Sequence, residues 1–348
     1  MKKNLLLLFL LIVLGIAAWV VYTKSSGSTL AEKPLSDFAI EDTSRVTRIV
    51  ITDHMGKTAQ LDRIAGEKLW RLNNKYSARE DAVNLLLTTF KRISVRGNVG
   101  NAARNNMMTL LATSGKKVEI FTGGEEPEKI YYVGTPTPDH TGTIMLLEIP
   151  GIGRSEEPYI THMEGFTGFL STRFFTDESD WRYTGIFDYP NLDFKDVKVI
   201  NHVEPANSFE VKYAGGNNIE LYDGFDPQTQ TFAKREEKFD STGIKNFLLL
   251  FKKVHVETFN TLLTKEAQDS LLTIAPTYTV AVTGNDGQQK KIDLYLKRAV
   301  KTTYDLNGNP DPWDVDHLWG RTDEGEFALA QTFNFGPILQ PVQLYLQH

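Results

Sequence analysis

The chain has 348 residues, 41% of them hydrophobic and 24% charged, which is enough for the buried cores of two globular units. A net charge of −6 at pH 7, without any run of Lys and Arg, offers no phosphate-binding surface and excludes nucleic acid as the expected partner. The absence of cysteine excludes disulfides, thiolate metal sites and a thiol nucleophile.

In chain order, the first expected element is apolar. After Met1-Lys2-Lys3-Asn4 comes LLLLFLLIVLGIAAWVVY, from Leu5 to Tyr22. At about 1.5 Å per residue such a helix spans about 27 Å, close to a bilayer's hydrocarbon core. Trp19 and Tyr22 fall where an outer aromatic belt would lie, and the two lysines favour a cytoplasmic tail. A cleaved secretory signal competes, although its apolar region is usually about 7–15 residues and no A-x-A site follows. The expectation is a tail over residues 1–4, a transmembrane signal-anchor over 5–22 and a flexible, Ser- and Gly-rich linker over 23–40. Either reading exports the remainder, and the anchor reading gives a single-pass protein of the bacterial cytoplasmic (inner) membrane with its bulk extracytoplasmic.

Next come short alternating segments, VTRIVI (46–51), TAQLDR (58–63) and KLWRL (68–72), read as strands. Ser77-Ala-Arg-Glu80 has the form of a capping box before an amphipathic helix, VNLLLTTFKRISV (83–95). A second helix, 103–115, and three further strands, VEIFTG, IYYVG and IMLLEI, follow. An aromatic-rich segment, 164–190, is read as the join to a second module.

That second module repeats the first. Residues 83–123 laid without a gap on residues 244–284 share eight identical positions, among them Phe90 with Phe251 and Lys91 with Lys252. Here Asp240 or Ser241 is the expected cap. SFEVKY (208–213), NIELYD (218–223) and TFAKRE (231–236) take the place of the first three strands. The predicted fold class is therefore α+β: an N-terminal transmembrane helix, then two tandem, internally repeated modules of mixed strands with two helices each, over 41–163 and 191–348.

The anchor, KLWRL, FKRISV, IYYVGTPTPDHTGTIMLLE and HMEGFTGFLSTRFF together resemble the bacterial domain-of-unknown-function 4340 family over most of residues 40–190. The resemblance implies a single-pass envelope protein in an accessory role, auxiliary to a transport or gliding-type system. It carries over no catalytic residue.

No G-x-S-x-G, H-E-x-x-H, G-x-x-x-x-G-K-[ST] or G-x-G-x-x-G occurs, and the seven histidines show no metal-ligand spacing. Two connections stand out at matching places in the modules. TPTPDHTGT (135–143) presents Asp139 and His140 from a proline-stiffened turn, and the long connection 299–326 carries Trp313 and Trp319. Asp305, Asn307, Asn309, Asp311 and Asp316 alternate as calcium ligands do, but Pro310 stands where an EF-hand needs Gly and Asp316 where it needs Glu. No metal, cofactor or catalytic residue is predicted. The expected function is a non-enzymatic scaffold contacting other envelope or membrane proteins, and the bilayer through residues 5–22. Its candidate binding residues are Asp139, His140, Trp313, Trp319 and Trp181. The alternative is an extracytoplasmic glycan- or peptide-binding module that uses the tryptophans.

Overall fold

The computed structural model describes residues 34–235, 238–259, 261–304 and 308–346, and divides into two compact units, Met1–Tyr183 and Thr184–His348.

In the first unit β1 (Arg48–Thr52) and β2 (Thr58–Asp62) form a hairpin, extended by β3 (Arg71–Leu72) and β4 (Tyr76–Ser77). Helix α1 (Glu80–Arg92) runs directly into β5 (Ile93–Asn98), and α2 (Asn101–Ser114) leads into β6 (Lys116–Phe121). Then come β7 (Lys129–Pro136), β8 (Thr143–Ile149), β9 (Gly153–Arg154), β10 (Tyr159–Met163) and one helical turn, α3 (Glu178–Trp181). The sheet order is β4-β3-β2-β1-β6-β7-β8-β10-β5, with β9 beside β8.

α1 forms because Val83, Leu86 and Phe90 recur at helical spacing. All three are buried against Ile49, Ile51, Val118 and Tyr131 on one face of the sheet. Each such side chain contributes about 1.5–3 kcal/mol by leaving water. The predicted capping box does not form, because Ser77 is drawn into β4, where its carbonyl accepts from Tyr183 N at 2.8 Å. Phe38 and Ile40, placed by sequence in the linker, lie in this core. Lys129 Nζ holds that segment by donating to the carbonyls of Asp37 and Ala39 at 2.7 and 2.6 Å.

The second unit begins with β11 (Gly185–Phe187), β12 (Phe194–Asn201), β13 (Phe209–Tyr213), β14 (Ile219–Asp226) and β15 (Thr231–Lys234). Helix α4 (Ser241–Leu249), capped as expected by Asp240 accepting from Thr242 N at 3.0 Å, is followed by β16 (Val254–His255) and α5 (Lys265–Leu272). β17 (Tyr278–Gly284), β18 (Gln289–Tyr304), β19 (Pro310–Thr322), β20 (Phe327–Gln331) and a last helical turn, α6 (Thr332–Phe335), complete it. The large sheet runs β15-β14-β13-β12-β17-β18-β19-β20, and β11 pairs with β16 in a small sheet of two strands.

Eight strands correspond in order, β4-β3-β2-β1-β6-β7-β8-β10 with β15-β14-β13-β12-β17-β18-β19-β20, with one shift from the sequence alignment, whereas β5 closes the first sheet and its sequence counterpart β16 pairs with β11 instead. β1 lies beside β6 as β12 lies beside β17, so the counterpart of VTRIVI is Phe194–Asn201 and not SFEVKY. A second shift is finer. Laying 83 on 244 matches the buried residues of α1 and α4, but would place Val118 on Thr279. The core residues of β17 are Val280 and Val282, so one extra residue enters between helix and strand. Without it, every side chain of β17 would face the wrong side of the sheet.

Two expectations are corrected. All ladders between the described strands are antiparallel, so the units are predominantly antiparallel sheet rather than α+β modules of mixed strands. Strands joined by short connections pair this way, since parallel pairing needs a long crossover. The single-pass membrane placement is also corrected: among the described residues no helix is long and apolar enough to cross a membrane. The longest, α2, has 14 residues and spans about 21 Å at about 1.5 Å per residue, short of a bilayer core of about 30 Å. The expected anchor, residues 5–22, lies outside the described residues.

Candidate functional site

The two connections singled out by sequence occupy equivalent places, between β7 and β8 and between β18 and β19, but they differ in form. The first is a tight turn. Thr137 N donates to Gly142 O at 2.9 Å, and His140 takes a left-handed backbone, φ 55°. Asp139 braces it, accepting from the Thr137 hydroxyl at 2.5 Å, the Thr141 hydroxyl at 2.6 Å and Arg96 at 3.4 Å. Those donors, the Thr137 hydroxyl foremost, hold its carboxyl well below the usual carboxylate range. Both carboxylate oxygens are therefore occupied by the turn itself. His140 is exposed, its ring 5.7 Å from that of Phe169.

The second connection is a β-arm rather than a loop. β18 and β19 pair from Ile292↔Thr322 to Leu296↔Leu318 and on to Tyr304↔Pro310. β17 accompanies them only to Leu294, and β20 only to His317. Past those points the two strands pair with each other, and neither the β17 nor the β20 ladder follows them. Val300, Tyr304 and Val315 are 92%, 66% and 58% exposed on them.

A bulge sets the arm's base. The carboxylate of Asp314 accepts from Asp316 N at 2.9 Å, His317 N at 3.1 Å and Lys297 Nζ at 2.5 Å. Burial opposes its charge, but the Lys297 ammonium and these N–H groups outweigh that and hold its pKa at about 2. Lys297 also lies over the Trp319 ring at 5.5 Å, and Arg298 over Trp313 at 5.5 Å. His317 bridges Asp314, at 3.3 Å, and Glu257, at 3.0 Å. Sequence reasoning found the two tryptophans and missed Lys297, Asp314, His317 and Glu257, because cross-strand register is what brings them together.

The remaining nominee, Trp181, lies fully buried in the first unit's core, its Nε1 donating to Phe175 O at 3.0 Å. It presents no surface to a ligand. The structure thus places Trp313 on the arm, Trp319 in the sheet at its base between Tyr295 and Leu329, and Asp139 and His140 in the other unit.

Among the described residues, His202, Thr279 and Asp293 of the second unit form a His–hydroxyl–carboxylate chain. Thr279 Oγ1 donates to Asp293 at 2.7 Å, and His202 Nε2 lies 2.9 Å from the same oxygen. With its single proton given to Asp293, the hydroxyl accepts from His202, the reverse of nucleophile activation. Among the described residues no group of three or more His, Asp or Glu could hold a metal ion. Asp305 and Asn307, the first two of the alternating calcium-like ligands, lie outside the described residues.

Comparison with protein-family models, curated proteins and solved structures yields no match to this chain.

Proposed function

We propose that the chain is a non-enzymatic accessory protein that engages a protein partner through the β18–β19 arm. The observation that carries this reading is the arm's continuation past both flanking strands with Val300, Tyr304 and Val315 in solvent. A lone two-stranded ribbon is marginally stable in water, and apolar side chains on it add little unless something covers them. Open strand edges of this kind accept a further strand, so main-chain hydrogen bonds supply affinity and alternate side chains supply selectivity. An auxiliary role in a transport or gliding-type assembly is also what the resemblance to the domain-of-unknown-function 4340 family implies.

The test is photo-crosslinking in cells from a reactive residue placed at Val300 or Val315, with Gln228 on the exposed β14–β15 turn as control. The expected result is one discrete protein adduct from both arm positions, absent from Gln228, with the adduct from position 300 lost on Val315→Asp. The same adducts from all three positions, or none from the arm, would overturn the proposal.

A further inference from the structure

The outer face of the first unit's sheet carries a site that the arm does not use. Between the C-terminal half of α2 and strands β6 to β9 lies a cavity of about 370 Å³. That volume is within the range of small-molecule sites, about 300–1,000 Å³. Met108, Leu111, Ala112 and Leu146 form its apolar part, and Tyr132 closes one side. Lys116, Lys117 and Arg154 are cations in its lining, with His54 beside them, in a chain whose net charge is −6.

The one lining carboxylate, Asp53, is committed elsewhere. It accepts from Met55 N and Lys57 N at 2.9 Å each and from Thr176 Oγ1 at 3.1 Å. Among the cations, Lys116 donates to Phe174 O at 2.5 Å and Lys117 to Glu119 at 2.8 Å. Arg154 lies over the Tyr132 ring, 5.4 Å from its centroid, and so keeps its charge at the cavity's edge. The apolar wall can adapt. Leu111 is the only buried residue of α2, and the adjoining Met107 and Met108 are unbranched and partly buried.

We infer that this cavity binds a small amphipathic anion, a medium-chain monocarboxylate, with its chain on Met108, Leu111 and Leu146 and its carboxylate on Arg154 and Lys117. Charge selects the class: a cationic rim over an apolar floor favours an anionic head and an uncharged body. The second unit is built differently at the corresponding place. By strand register Tyr295 and Trp319 stand where Gly134 and Ile144 stand here, and Asp293 replaces Tyr132.

The test is titration of the full chain, ¹³C-labelled at its methionine methyls, with octanoate and separately with octanol. Octanoate is expected to shift the Met108 methyl saturably and to bind at least tenfold more tightly than octanol. Arg154→Gln with Lys117→Gln should weaken octanoate at least tenfold and leave octanol unchanged. Ala112→Trp, at an exposed helix position, should fill the cavity and abolish both. Equal affinity for the two ligands, an unsaturable shift, or undiminished binding in Ala112→Trp would overturn the inference.

Discussion

Asp314 shows how much one side chain decides here. A carboxylate that takes two backbone N–H groups and an ammonium holds the bulge from which the arm departs, and it is largely buried with Lys297, at 16% and 15% side-chain exposure. Its folded pKa of about 2 lies below the unfolded value of about 3.9. A depressed carboxyl contributes stability that is present above the unfolded value and lost as pH falls through the folded one. The arm's base should therefore loosen between about pH 4 and pH 2, by on the order of 1–2 kcal/mol. Amide exchange at His317 and Leu318 measured across that range should show it, and Asp314→Asn should remove the pH dependence. Protection that does not change with pH in the natural chain would refute the role. None of this was legible beforehand, since Asp314 read simply as one of many acids in a polar connection, and its partner Lys297 is 17 positions away.

At the scale of elements, the two second helices diverge for a visible reason. In the first unit Gly134 lets α2 close onto β7. A Cβ there would come within 2.8 Å of Leu111 Cδ2 and 3.0 Å of Ile144 O. In the second unit the equivalent position is Tyr295, buried and paired with Trp319, and α5 has no buried residue at all. A ring fills the space a helix would need. Gly134→Ala should lift α2 at a cost of about 1–3 kcal/mol, seen as faster amide exchange over 105–114 while Val118 and Tyr131 stay protected. Unchanged exchange in α2 would mean the helix docks by other contacts. The sequence repeat was legible in the main core because helix faces keep their spacing, whereas the outer faces share no pattern. The long connection 299–326 was misread for a related reason. Its Asp, Asn and Pro residues are turn formers by local preference, yet pairing across Arg298↔Trp313 and Tyr304↔Pro310 extends both strands.

For the molecule as a whole, the aromatic stretch 164–190 serves two cores. Leu170, Phe174 and Trp181 are fully buried in the first, and Ile186 and Phe187 belong to the second. A fragment of residues 34–183 should unfold in one cooperative transition, and 34–163 should fail to fold. Losing a buried aromatic costs about 3–5 kcal/mol, and two of them with Leu170 approach a domain's whole stability of about 5–15 kcal/mol. Circular dichroism in denaturant distinguishes these outcomes, and a cooperative transition for 34–163 would contradict the assignment. By itself the sequence determined the helix faces, the main strand alternations, the repeat and the absence of thiol chemistry, because these depend on residue type and local spacing. Only the tertiary structure decided which strands are neighbours, that the second connection is an arm, that Trp181 is core, and that a cation-rimmed cavity lies beside α2. Those features join residues far apart in the chain, and register rather than composition brings them together.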